Sequence, residues 1–315
     1  MEFIRGLHNL RPAHRGCVAT IGNFDGVHRG HQAVIGQLSR KAQALGLPAT
    51  VIVFEPQPNE FFGHDKAPPR LTRLREKLLA LGERPVDRVL CIEFTQRLAE
   101  LPAGDFIEQV LVQGLGIRYL VVGDDFRFGR GRAGDFNLLV DAGKRHGFEV
   151  VRTDSFSLDG ERVSSTAIRN ALVRGDLDRA EQLLGRRYGV CGRVAHGDKR
   201  GRTIGFPTAN IHLHRKVMPV EGVFAVEVTG IRGEPLPGVA NVGTRPTVDG
   251  KLSLLEVHLF DFSEQIYGRH VEVFFLWRLR GERRFESFEA LKQQIAHDAR
   301  EARAFFVGRG ALRRE

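Results

Sequence analysis

Two histidines three residues apart, His28 and His31, close the stretch Gly22-Asn23-Phe24-Asp25-Gly26-Val27-His28-Arg29-Gly30-His31. An apolar run at 18–21 precedes it and apolar residues recur at helical spacing over 32–45, which predicts a turn between a buried strand and a helix. Backbone N–H groups in such a turn lie beside the positive end of the helix dipole, where phosphate is stabilised. His28 and His31 fall on one face of the first helical turn and add imidazole donors. Alone, two histidines more often cap a surface helix; the Gly-Asn-Phe-Asp-Gly lead-in is what points to phosphate chemistry. Ser164-Ser165-Thr166 opens a second helix, with Arg169 one turn on. Its hydroxyls, amides and guanidinium can clamp phosphates.

Further candidates lie elsewhere. The loop His196-Gly197-Asp198-Lys199-Arg200-Gly201-Arg202-Thr203-Ile204-Gly205-Phe206-Pro207-Thr208-Ala209-Asn210 is glycine-rich and basic. Gly197 and Gly205 let backbone amides approach phosphates, Lys199 adds charge, and Thr208 and Asn210 offer neutral oxygens for Mg2+. No G-x-x-x-x-G-K-[ST] occurs, so this is not a P-loop. Alternation over 252–260 puts Glu256 and His258 on one strand face and Leu255, Val257 and Leu259 on the other. In Gly123-Asp124-Asp125-Phe126-Arg127-Phe128-Gly129, aromatics and an arginine can hold a planar ring and a phosphate. Phe54-Glu55-Pro56-Gln57-Pro58 likewise leaves a strand end, and Asn241-Val242-Gly243-Thr244-Arg245-Pro246-Thr247 precedes the Glu256 strand.

The elements that must position these groups follow from periodicity. Strands are predicted at 18–21, 50–54, 88–92, 119–122 and 148–152, with helices at 32–45, 74–81, 103–114 and 136–146. That alternation indicates βαβ units and a parallel sheet, whose ligands bind beyond the carboxyl ends of the strands. Helices at 165–173 and 177–184 close this half. After residue 186 come β-type runs at 188–194, 222–228, 238–242, 252–260 and 270–279, which indicate an antiparallel barrel or sandwich, then a helix at 288–307. Two domains are expected, 1–185 and 186–315, in an α/β + β arrangement.

Composition restricts the class. The chain has 315 residues, 42% hydrophobic and 27% charged, which is ordinary for a globular protein. No apolar stretch is long enough to span a bilayer and no signal-peptide pattern opens the chain, so a cytoplasmic protein is expected. Three cysteines, Cys17, Cys91 and Cys191, lack C-x-x-C spacing and read as small core residues. The net charge of +9 is scattered without aromatic–basic interleaving, so anionic small substrates are expected rather than nucleic acid.

The motifs at 22–31 and 164–169 resemble the G-x-F-D-x-x-H-x-G-H and helix-opening signatures of the nucleotidylyltransferase superfamily. With the later motifs, the resemblance narrows to bacterial bifunctional riboflavin kinase/FAD synthetases and covers about 3–307. It implies a Rossmann-like nucleotidylyltransferase domain followed by a β-barrel riboflavin kinase domain with a terminal helix. The substrates would be ATP, riboflavin and FMN, the product FAD, and the metal Mg2+. His28 and His31 would stabilise adenylyl transfer, with Gly22, Asn23, Phe24, Asp25, Gly30, Ser164, Ser165, Thr166 and Arg169 around the nucleotide. Phe54, Pro56, Pro58, Asp125, Phe126, Arg127, Phe128 and Arg245 would line flavin sites. In the kinase half Glu256 would be the base, Thr208 and Asn210 the Mg2+–ATP ligands, and Gly197, Lys199, Gly205 and Pro207 the nucleotide loop. Self-association is compatible with the sequence but not specified by it. A single retained activity, with the other half a flavin-binding regulator, is the competing reading.

Overall fold

A computed structural model describes residues 1–153, 155–196, 206–215, 217–247 and 250–310, with backbone alone at 245–247 and 250–252. Gly197, Lys199 and Gly205, and the side chain of Arg245, therefore lie outside the described residues. Two compact units form: Met1–Pro68 with Thr72–Ser165, and Pro69–Leu71 with Thr166–Glu315.

The first unit is built on six parallel strands, β1 (Glu2–Arg5), β2 (Val18–Ile21), β3 (Ala49–Glu55), β4 (Arg88–Glu93), β5 (Tyr119–Gly123) and β6 (Glu149–Thr153), in the order β1-β4-β3-β2-β5-β6. Strands covered on both faces read as continuous apolar runs, and here alternate residues feed two separate cores. Ile52, Phe54, Leu120 and Val122 enter one; Val51, Val53, Tyr119 and Val121 enter the other. The helices are α1 (Arg29–Leu45), α2 (Pro58–Gly63), α3 (Leu74–Gly82), α4 (Gln96–Ala99), α5 (Ala103–Phe106) and α6 (Phe136–His146). The helix expected at 103–114 exists, but beyond α5 it widens into π-type turns at Ile107–Gly114. From β2 the chain builds outward through β3 to β4, then returns to place β5 on β2's other side. The order reverses between β2 and β5, and open parallel sheets bind ligands at such a switch point.

In the second unit come α7 (Ser165–Arg174) and α8 (Leu177–Leu184), after the small hairpin β7 (Ser157–Leu158) and β8 (Glu161–Arg162) of the first. Six antiparallel strands follow: β9 (Gly189–Ala195), β10 (Ala209–His212), β11 (Gly222–Thr229), β12 (Leu236–Thr247), β13 (Gly250–Leu259) and β14 (His270–Arg280). They close into a barrel in the order β10-β13-β12-β11-β14-β9, which removes exposed sheet edges. Phe224 and Phe275 meet edge-on at 5.2 Å, and both are buried. The terminal helix α9 (Phe288–Gly308) lays Ala299, Ala302 and Phe306 on Val223, Ala225, Val239 and Leu276.

Candidate active sites

The first site sits in the turn after β2. Gly22 N–H donates to the Ile52 carbonyl at 3.1 Å, keeping the chain on the sheet as it leaves the strand. Phe24 (φ 46°) and Val27 (φ 43°) then adopt left-handed backbone, which is costly for a bulky or β-branched residue. Their side chains are buried, 2% and 0% exposed, so core packing holds the turn in this shape. Asp25 is buried too, and its Oδ1 accepts from Thr72 N–H at 2.9 Å and Thr72 Oγ1 at 3.2 Å. Thr72 Oγ1 accepts from Gly26 N–H at 2.9 Å, and Ser165 Oγ donates to the Asp25 carbonyl at 2.9 Å. Asp25 thus braces the turn against the α3 entry and the helix-opening serine.

His28 is the N-cap of α1, its Nδ1 accepting from His31 N–H at 3.3 Å. That assigns the ring proton of the neutral form to Nε2, which becomes a donor. The two imidazoles stack at 3.6 Å, and Phe24 lies 4.8 Å from the His31 ring. His31 Nδ1 is shut off from solvent with no hydrogen-bond partner among the described residues. Burial, then the charges of His28 and Lys77, hold the His31 imidazole well below the usual histidine pKa. Lys77 on α3 is fully buried. Sequence reading missed it, because a lysine in a short amphipathic helix ordinarily signals a solvated face.

Gly30 faces the His28 ring: a Cβ there would come within 3.1 Å of His28 Cε1 and Nδ1 and 3.3 Å of the Val163 carbonyl. Gly30→Ala should therefore displace the imidazole and lower the chemistry of this turn on the order of tenfold to a hundredfold. Reactions confined to the barrel should be unaffected. Activity assays of each unit's chemistry, run in parallel on the full chain, measure this, and equal losses in both would contradict it.

The loops after β3 and β5 flank this turn, since these strands adjoin β2. After β5, Phe126 and Phe128 stack at 5.5 Å, and Phe128 packs on Phe106 at 5.6 Å. Arg127 pairs with Asp135 at 3.1 Å; Asp124 accepts from Ser155 at 3.0 Å and from Arg162 at 3.1 Å, with Asp125 3.6 Å from Arg162. The Ser155 hydrogen bond, with Arg162 beside it, lowers the Asp124 pKa. After β3, Phe54 turns into the core, Pro56 follows a cis bond, and Pro58 opens α2. Phe61, Phe62 and Phe94 cluster there at 5.3–5.8 Å, with Phe62 65% exposed. The Phe61-Phe62 doublet behind Pro58, not singled out from the sequence, forms an aromatic cluster with an exposed ring.

Arg169 and Thr166 belong to the second unit, where Arg169 Nε donates to the Pro69 carbonyl at 2.6 Å. On the barrel wall, Glu256 of β13 is the direct register partner of Asn210 on β10 and of Asn241 on β12. Cross-strand partners share a face, so amide, carboxylate and amide form one rank across three strands. All three are half-buried, while their neighbours Leu255 and Val257 fill the interior. His258, one step along that face, donates from Nδ1 to the Pro207 carbonyl at 2.9 Å, packs near Phe206 at 5.3 Å, and has its pKa lowered chiefly by burial. This contact seats the Pro207–Thr208 entry into β10 beside Glu256. Thr208 and Asn210 alternate on the same side of the chain, two neutral oxygen donors next to a carboxylate.

An α/β unit with a histidine turn at its switch point and a barrel with a carboxylate rank define a protein with two phosphate-handling sites. Residues 10–167 match the FAD synthetase family model and 184–306 the riboflavin kinase model. The chain is 55% identical to the bifunctional riboflavin kinase/FMN adenylyltransferase of Escherichia coli K12 over 97% of its own length and 98% of that protein's. Similar proteins of that name occur in Pseudomonas fluorescens (55%, covering 96% and 97%) and Haemophilus influenzae (54%, covering 97% and 99%). The chain belongs to the bifunctional riboflavin kinase/FMN adenylyltransferase family, and it makes FMN from riboflavin and FAD from FMN. A Streptococcus pneumoniae structure titled a macrolide-efflux protein shares the fold, with TM-score 0.81 and 30% identity over 96% of this chain and 99% of that one. Among the described residues here, no helix is long and apolar enough to cross a membrane.

Proposed function

We propose that residues 1–185 carry the adenylyl transfer and 186–315 the kinase, with the residues above in distinct roles. The Asn210–Glu256–Asn241 rank is the observation that supports this reading most. Riboflavin's 5′-hydroxyl is neutral and must lose its proton on attacking the γ-phosphorus of ATP; Glu256 accepts it as ADP leaves. Thr208 and Asn210 suit Mg2+, a hard cation that takes oxygen ligands and arrives with nucleotide phosphates. When bound, the ion supplies charge neutralisation on those phosphates.

Adenylyl transfer has a different requirement. The FMN phosphate is already anionic, so its oxygen attacks the α-phosphorus of ATP without a base, and pyrophosphate leaves. His28 Nε2–H and the first N–H groups of α1 donate to the growing charge. His31, held neutral, keeps the His28 ring stacked. The half-buried Phe126 and the Phe61/Phe62 pair receive the flavin ring, while Phe128, expected from the sequence to line the flavin site, lies in the core and backs Phe126. The three cysteines are free thiols, which suits a cytoplasmic protein.

Incubation with riboflavin, ATP and Mg2+ should show FMN rising and then giving way to FAD. Chelating the metal should stop FMN formation, and undiminished kinase turnover without divalent cation would remove the Thr208/Asn210 assignment.

A further inference from the structure

Asn210 is held in place by the sheet, but Thr208 is not. The β10 ladder begins at Ala209, and Asn210 pairs with Ala195 of β9 and Glu256 of β13. Among the described residues Thr208 precedes every registered pair of this strand. Pro207 before it has no N–H to donate, so its carbonyl is the backbone group by which this end can be gripped. His258 of β13 grips it, Nδ1 donating to that oxygen at 2.9 Å. The peptide group is planar, so holding the carbonyl fixes the plane that ends at the Thr208 Cα.

The His258 ring is itself braced from behind. It meets Phe206 edge-on at 5.3 Å and Phe260 at 5.8 Å, and Phe260 meets Phe306 of α9 at 6.4 Å. Rings therefore run in series from the entry to β10 back to the terminal helix. Phe260 and Phe306 are buried, and Phe206 packs on the same apolar cluster. Arg303 of α9 closes the far end, its guanidinium 4.6 Å over the Phe260 ring and hydrogen-bonded to Asp261 at 2.8 and 3.2 Å. An imidazole wedged between aromatic edges has its rotamer locked by packing, so its hydrogen bond is aimed.

We infer that His258 is a positioning residue of the kinase, acting through the Pro207 carbonyl to hold Thr208 where Mg2+–nucleotide needs it. This rests on the reading that Thr208 and Asn210 take Mg2+–ATP. Mg2+ tolerates little departure from octahedral geometry, so an oxygen ligand at an unpaired strand entry requires a restraint of its own. Outer partners that orient metal ligands typically contribute about tenfold to a hundredfold in affinity. In this role His258 touches neither the reacting hydroxyl nor the phosphates. Its contribution therefore falls on nucleotide binding rather than on the chemical step.

His258→Leu keeps most of the bulk and removes the donor. In the full-length protein it should raise the KM for Mg2+–ATP in riboflavin phosphorylation by about tenfold to a hundredfold, with kcat nearly unchanged. A barrel that merely unfolded in part would lower kcat and leave KM alone. His258→Asn, whose amide nitrogen falls near the place of Nδ1, should recover most of the affinity. His258→Gln, whose amide reaches past that place, should not. Calorimetric titration with Mg2+–ADP gives a readout without turnover. The binding event that Thr208→Ala weakens should weaken in His258→Leu too, and the double variant should bind no worse than Thr208→Ala alone. A wild-type KM for Mg2+–ATP in His258→Leu, or additive losses in the double variant, overturns the inference. If Thr208→Ala bound Mg2+–ADP as wild type does, the metal assignment would be wrong and the inference would fall with it. Weakened binding in Thr208→Ala beside unaltered binding in His258→Leu would remove only the role of His258.

Discussion

Glu256→Gln is expected to lower riboflavin phosphorylation by about a hundredfold to ten-thousandfold, the usual contribution of a general base. FMN adenylylation should stay within about twofold of wild type, an estimate that rests on the independence of distant sites. Glutamine keeps the shape of the side chain and its place between Asn210 and Asn241 but cannot accept the hydroxyl proton. The loss should therefore appear in kcat more than in the KM for ATP. Stopped assays with each substrate pair measure it, and a mutant with near-normal kcat would take the proton-accepting role away from Glu256.

His28→Asn should produce the opposite pattern. Nδ1 of His28 caps α1 by accepting from His31 N–H, and in the role proposed above Nε2 donates to the reacting phosphates. Asparagine is a good N-cap and can keep the first interaction while losing the second. FAD formation should fall about a hundredfold to a thousandfold, as on removing a transition-state donor, with thermal stability nearly intact. Alanine should lose the same rate and also about 1 kcal/mol of helix stability. Equal stability in the two variants would mean that the cap seen here contributes nothing. The neighbouring His31 adds a pH dependence. Because its folded pKa is depressed, the unfolded chain binds a proton below the ordinary value of about 6.5 that the folded turn does not. Its contribution to stability is thus full above that pH and is lost as pH falls toward the folded value.

Much of this was legible in the residue pattern. The apolar runs at 50–54 and 119–122 announce strands covered on both faces, and Glu256 stands out as a carboxylate on the solvent side of an alternating strand. Other features escape a local reading because they arise only on folding. The strand β10, Ala209–His212, has weak β-formers at its start and is held by pairing to β9 and β13 at barrel closure. Asp25 resembles an active-site acid in sequence, yet its Oδ1 braces Thr72, 47 positions away. Lys77, fully buried with its charge acting on His31, comes from a helix segment with no signature of its own. Helices α7 and α8 group with the second unit from Thr166 on, whereas the order of predicted elements along the chain places them in the first half.

The left-handed conformations of Phe24 and Val27, with both side chains anchored in the core, have a thermodynamic consequence. A phosphate-binding loop that ordered only around its ligand would spend conformational entropy at each binding event and give a large heat-capacity change. This turn has its φ angles fixed before nucleotide arrives, so that cost falls on folding and is met once, by burial of the two side chains. Nucleotide should dock here as onto a rigid surface, with calorimetric heats that report phosphate contacts rather than loop ordering.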